Sequence, residues 1–111
     1  MNALKAGDAA ASAVQKTPNR VTLAGMEARV MSCEYLHPVA VPHLTIAVVI
    51  LDNGFSLVGK SASADPENFN AELGRRFAYE DALRQMWQLE GYLLRERLWG
   101  GAPTFPHPLE V

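Results

Sequence analysis

Apolar and β-branched residues crowd into residues 44–63, LTIAVVILDNGFSLVGKSAS, on both sides of Asn53-Gly54. Two such runs around Asn-Gly predict a β-hairpin. A two-residue type I′ turn needs φ > 0 at both central positions, and this pair tolerates that best. Such a turn sets Asp52 opposite Phe55, Ile50 opposite Leu57 and Val48 opposite Gly59. Alternation along each strand then gives Leu44, Ile46, Val48, Ile50, Phe55 and Leu57 one face, expected to meet the core. The other face holds Thr45, Ala47, Val49, Leu51, Ser56, Val58, Lys60 and Ala62. It is also largely apolar, more so than a solvated hairpin needs, so a homo-oligomer is expected. Asn53 and Gly54 are read as structural residues of the turn.

Upstream, Thr22 predicts an N-cap for a helix over about 23–35, with Leu23, Met26, Val30 and Tyr35 in one stripe. Cys33 lies in that span and reads as a small buried hydrophobe. Two prolines between His37 and His43 exclude a helix there. Downstream, Asp65 before Pro66 is one N-cap signal and Asn70 a second, so the next helix starts at 66 or 71. Leu73, Phe77, Leu83, Met86, Trp87, Leu94 and Leu98 give it a broad apolar face. Gly91 inside this pattern predicts a bend or split near Gln88–Gly91. Gly100-Gly101 ends the helix. The fold class is α+β: an N-terminal helix, an antiparallel hairpin (about 44–63) and a long or broken C-terminal helix (about 66–98) packed on the sheet. Residues 1–17 read as a mobile N-terminal arm, in which a short Ala-rich helix at 8–15 would have little to bury. Residues 18–99 read as one domain, and the proline-rich residues 100–111 as a flexible tail.

A chain of 111 residues fits a single domain. Its net charge of −2 speaks against a sequence-independent nucleic-acid binder, which carries a basic excess. One cysteine permits no intramolecular disulfide and no cysteine-rich zinc motif. The spacing of His37, His43 and His107 suits no standard metal site, so neither metal nor cofactor is expected. No apolar run approaches 18 residues, so no membrane span is expected. The first residues lack the apolar region of a signal peptide, and a reducing, intracellular compartment is the expectation.

Five of the seven arginines lie on the long C-terminal helix. Glu72 can reach Arg75 or Arg76, and Glu80 can reach Arg76 or Arg84. No acid stands three or four residues from Arg95 or Arg97, which leaves both for a phosphate or another subunit. Glu90 has only Met86, Trp87, Leu93 and Leu94 as helical neighbours. Its carboxylate therefore needs a buried cation or a capping role. Asn68, Phe69 and Asn70 bring amides, an aromatic face and helix N–H groups to one helix start, which reads either as plain helix capping or as a place for an anionic nucleotide. The chain shows no nucleophile with a matched base and no glycine-rich phosphate loop; Gly59-Lys60-Ser61 lacks the preceding glycine. No catalytic residue is assigned, and the protein is not expected to be an enzyme.

The stretch from Thr45 to Leu98 carries the ordered pieces N-G-F, G-x-S-A, D-P-x-N-F, E-x-G-R, A-Y-E-x-A and W-x-L-E-G-Y-L-L. In these it resembles the small bacteriophage "gene 49/gene 66" family. The resemblance implies a phage- or prophage-encoded accessory protein in the host cytoplasm. In architecture and partial motifs the chain is also similar to phage sponges that counter Thoeris immunity. These sequester cyclic ADP-ribose signals without cleaving them, in oligomers. That similarity implies a cyclic nucleotide held between subunits by Lys60, Asn68, Phe69, Arg95 and Arg97. The alternative is a structural or protein-interaction module.

Overall fold

The computed structural model describes residues 3–101. Three antiparallel strands form one sheet in the order β1-β2-β3. These are β1 (Val30–Leu36), β2 (Leu44–Leu51) and β3 (Ser56–Ala62). The hairpin joins β2 to β3 as its pattern predicts, but its turn is of another type. Gly54 N–H donates to the Leu51 carbonyl at 2.9 Å, and Leu51 N–H donates to the Phe55 carbonyl at 2.9 Å. Gly54 sits at φ 86°, whereas no described non-glycine residue has positive φ. This is a type I turn closed by a glycine bulge, a three-residue connection through Asp52, Asn53 and Gly54. Asn53 Oδ1 accepts from Phe55 N–H at 3.0 Å within the turn.

The longer connection moves the register by one: Val49 faces Leu57 and Ile50 faces Ser56. A slip of one residue turns a strand over. The core face of β2 is therefore Thr45, Ala47, Val49 and Leu51, all buried, beside Leu57 and Gly59. The expectation that Leu44, Ile46, Val48 and Ile50 meet the core is corrected; of that set only Leu57 faces inward.

The helix expected over 23–35 is short. It is α2 (Leu23–Ala28), and β1 takes the remainder, with Met31 in a bulge that shifts its register against β2. Thr22 is the N-cap as expected, its hydroxyl accepting from Gly25 N–H at 3.0 Å. Cys33 thus lies on a strand, half-buried. The segment read as an arm forms α1 (Ala3–Ala13) and buries Leu4.

After a single 3-10 turn over Pro66–Asn68, the C-terminal helix divides into α3 (Ala71–Arg84) and α4 (Met86–Trp99). Asn70 caps α3 by accepting from Leu73 N–H at 3.0 Å. The division falls at Gln85, not near Gly91, which lies inside α4 with open space at its Cα. Gly100, at φ 66°, ends α4.

α3 lies across β2 and β3, and its spacing explains how closely. Gly74, Ala78 and Ala82 recur every fourth residue and face the sheet. A Cβ on Gly59 would stand 2.1 Å from the Ala78 carbonyl oxygen and 2.3 Å from Ala82 nitrogen. Backbone meets backbone there, and only glycine permits it. The helix also covers the open edge of β3. Asp81 Oδ2 accepts from Lys60 N–H at 2.9 Å, and Gln85 Nε2 donates to the Val58 carbonyl at 2.7 Å. Leu4, Leu23, Met26, Val49, Leu51, Leu57, Ala82, Leu83 and Met86 complete one core.

Candidate functional site

Arg29 ends α2 and is the hub of a polar cluster. Its Nε and Nη2 donate to Asp52 Oδ1 at 3.0 and 2.8 Å, and its Nη1 donates to Glu90 Oε2 at 2.8 Å. Glu90 thus has the cation its apolar neighbours require, and its side chain is only 17% exposed. Asp52 belongs to the hairpin connection and Glu90 to α4, so one guanidinium ties three elements. The bond from Arg29 holds the Asp52 carboxyl below the usual carboxylate range, and Asp52 in turn raises the Arg29 pKa. A second junction joins α1 to α2. Asp8 Oδ1 accepts from Leu23 N–H and from Arg20 Nη1, each at 3.0 Å. Those two donors, the backbone one first, hold Asp8 below the usual range.

Two clefts flank the Arg29–Glu90 bridge. One, of about 350 Å³ between α2 and α4, is lined by Arg20, Thr22, Gly25, Arg29, Glu90 and Arg97 among others. Its arginines are largely neutralised, Arg20 by Asp8 and Arg29 by its two acids. No hydrogen bond or ion pair engages Arg97 among the described residues. The other, of about 430 Å³, is mainly apolar: Leu51, Phe55, Leu89, Tyr92 and Leu93 line it over Arg29 and Glu90.

The five expected ligand residues do not converge. Asn68 and Phe69 line a third, smaller cavity of about 170 Å³ with Ser63, Gly74 and Phe77, away from Arg97. Phe69 meets the His37 ring edge-on at 6.2 Å. Lys60 is exposed on β3 and lines none of these spaces. Arg95 lines none either, and it already interacts within the chain, so it does not stand free for a phosphate. Glu80 is buried rather than in a solvated pair, and its Oε2 has no hydrogen-bond partner among the described residues. Arg84 instead lies 3.7 Å from Asp81. On the core side of β1, burial first and then the Cys33 thiol push the Tyr35 hydroxyl up to about 12. Among the described residues no group of three His, Cys, Asp or Glu could hold a metal ion. No described helix is long and apolar enough to cross a membrane.

Arg29 and Asp52 of the polar cluster, and Arg20 and Asp8 of the second junction, are not among the site residues read from the sequence. Glu90 was the available signal. It requires a cation, and Arg20 and Arg29 are the two arginines outside the long helix.

These features define a small α+β protein: a three-stranded sheet covered on one face by helices, with a bent C-terminal helix. By its family model, matched over residues 17–98, the chain belongs to the Phage protein (N4 Gp49/phage Sf6 gene 66) family. The match spans all three strands, α2 and α3, and ends one residue short of the end of α4. Comparisons with curated proteins and with solved structures give no match.

Proposed function

We propose that this phage-family protein is a non-enzymatic accessory protein of the host cytoplasm that works by binding another protein. The observation that carries this reading is the surface of α4. That helix buries Met86 alone. Leu89, Tyr92, Leu93, Leu98 and Trp99 are between 39% and 68% exposed. So many exposed apolar side chains on one helix ordinarily mark a surface that a partner covers. With Phe55 from the hairpin connection, Leu89, Tyr92 and Leu93 flank the apolar cleft over the Arg29–Glu90 bridge. An apolar groove with a charged floor suits an amphipathic helix of a partner, its apolar stripe in the groove and a polar side chain at the bridge. The test uses Leu93→Asp and Tyr92→Asp, both at exposed positions. A phage or host protein that binds the wild type as a purified component, and binds neither variant, supports the reading. A partner that binds both variants as well as the wild type refutes it, once circular dichroism shows the variants folded.

Sequestration of a cyclic nucleotide of the cyclic ADP-ribose type, against host defence, is the second reading. Arg97 favours it, as a guanidinium with no hydrogen bond or ion pair among the described residues, on a cleft that also holds Arg20 and Arg29. Protein incubated with a cyclic ADP-ribose isomer, then denatured by heat, should release intact ligand. Arg97→Ala should lower uptake, and Arg84→Ala should not. Absence of uptake across several cyclic nucleotides retires this reading and leaves the first untouched.

A further inference from the structure

The outward face of the sheet is a second apolar surface, separate from α4. Register divides it into three rows across all three strands, Ser32, Ile50 and Ser56; Glu34, Val48 and Val58; Leu36, Ile46 and Lys60, and a fourth across β2 and β3, Leu44 and Ala62. The middle strand is thus apolar on both faces. A sheet with one solvated face alternates apolar-in with polar-out, which β3 approaches and β2 does not. Ile46, Val48, Ile50 and Val58 lie outside the core cluster, and Val58 and Leu36 are 55% and 46% exposed.

We propose that a second copy of this chain covers this face, in a two-fold dimer whose axis runs parallel to β2. The charges select both the occupant and the axis. Among its strand residues the face bears one acid, Glu34 on the β1 edge, and one base, Lys60 on the β3 edge. A two-fold parallel to β2 lays β1 of one copy over β3 of the other. Glu34 then lies over Val58 of the second copy, with that copy's Lys60 two residues along, about 7 Å. Two long side chains span that offset, and the pairing occurs twice by symmetry. Ile46, Val48 and Ile50 meet their own counterparts along the axis. The strands stay nearly aligned, as face-to-face sheets prefer. A two-fold running across the strands would instead set Glu34 over Glu34, and like charges opposed in an interface are strongly disfavoured. The acid and base sit on opposite edges, so the surface is complementary to itself.

Sedimentation equilibrium across micromolar concentrations tests this. The wild type should be a dimer. Val48→Glu should be monomeric with an unchanged far-ultraviolet spectrum. Should that variant fail to fold, Val58→Lys, at a more exposed position, serves in its place. Glu34→Lys and Lys60→Glu should each weaken the dimer about tenfold, by placing like charges together. The double reversal should restore it. A monomeric wild type overturns the proposal, as does a dimer that persists in the folded face variant. A double reversal as weak as the single ones overturns the assigned axis. None of these variants touches α4, so the partner-binding surface is tested independently.

Discussion

Arg29 binds two acids that lie 38 residues apart in the chain, Asp52 and Glu90. Its Glu90 bond is the better sheltered, because the Glu90 side chain is 17% exposed and that of Asp52 is 49%. Glu90→Gln keeps the shape and a neutral hydrogen bond but removes the charge. It should lower stability by about 1 kcal/mol in denaturant titration. Arg29→Met should cost more than either Glu90→Gln or Asp52→Asn, since it leaves two carboxylates unpaired at once. Equal losses for all three would mean that the acids do not share the guanidinium. The same contacts give a dependence on pH. Asp52 and Asp8 both titrate lower in the folded chain than in the unfolded one. Their contribution is complete above the unfolded carboxyl value of about 4 and is lost as pH falls through the lower folded values. The melting temperature should therefore drop below about pH 4. Asp52→Asn should show a shallower drop than the wild type; an identical acid limb would remove the Arg29 contact from its cause.

At the scale of elements, the contact between α3 and β3 depends on the absence of side chains. Gly59→Ala drives a methyl group against the backbone of Ala78 and Ala82, neither of which can rotate away. The loss should reach or pass the upper end of the ~1–3 kcal/mol typical of overpacking. Gly91→Ala, in open space on α4, should gain up to about 1 kcal/mol from helix propensity. Chemical denaturation of the two variants separates a packing glycine from a merely tolerated one. The hairpin was legible because Asn53-Gly54 signals a turn in either of its forms. Those forms differ by one residue, and that residue decides which face of β2 is buried. With β2 apolar on both faces, composition could not arbitrate. The capping residues Thr22 and Asn70 were equally legible, since a cap is a local hydrogen bond. β1 was not, because Leu23, Met26 and Val30 keep a helical spacing straight across the α2–β1 boundary. Glu90's need for a cation could be read from its neighbours. The identity of that cation depends on how α2 docks against α4, which no local pattern encodes.

At the scale of the whole molecule, the family match begins at residue 17, after α1 has ended. α1 is nonetheless built into the body at two points. Leu4, 5% exposed, joins a core cluster that draws on α2, β2, β3, α3 and α4. Asp8 accepts from the first N–H group of α2, which has no partner within its own helix. The two contacts differ in kind, so they can be separated. Leu4→Ala removes apolar burial and should cost about 2–3 kcal/mol. Asp8→Ala leaves the Leu23 N–H and Arg20 without their shared acceptor, and should make the chain less sensitive to acid than the wild type. Deletion of residues 1–14 removes both contacts and bares the Leu23 and Met26 side of the core. It should lower the melting temperature more than either substitution, while the Arg29–Asp52–Glu90 cluster persists. Urea titration with amide hydrogen exchange measures this directly: protection should fall first in α2 and persist in β2 and α3. A truncated chain as stable as the full one would mean that α1 contributes nothing to the fold despite its two contacts.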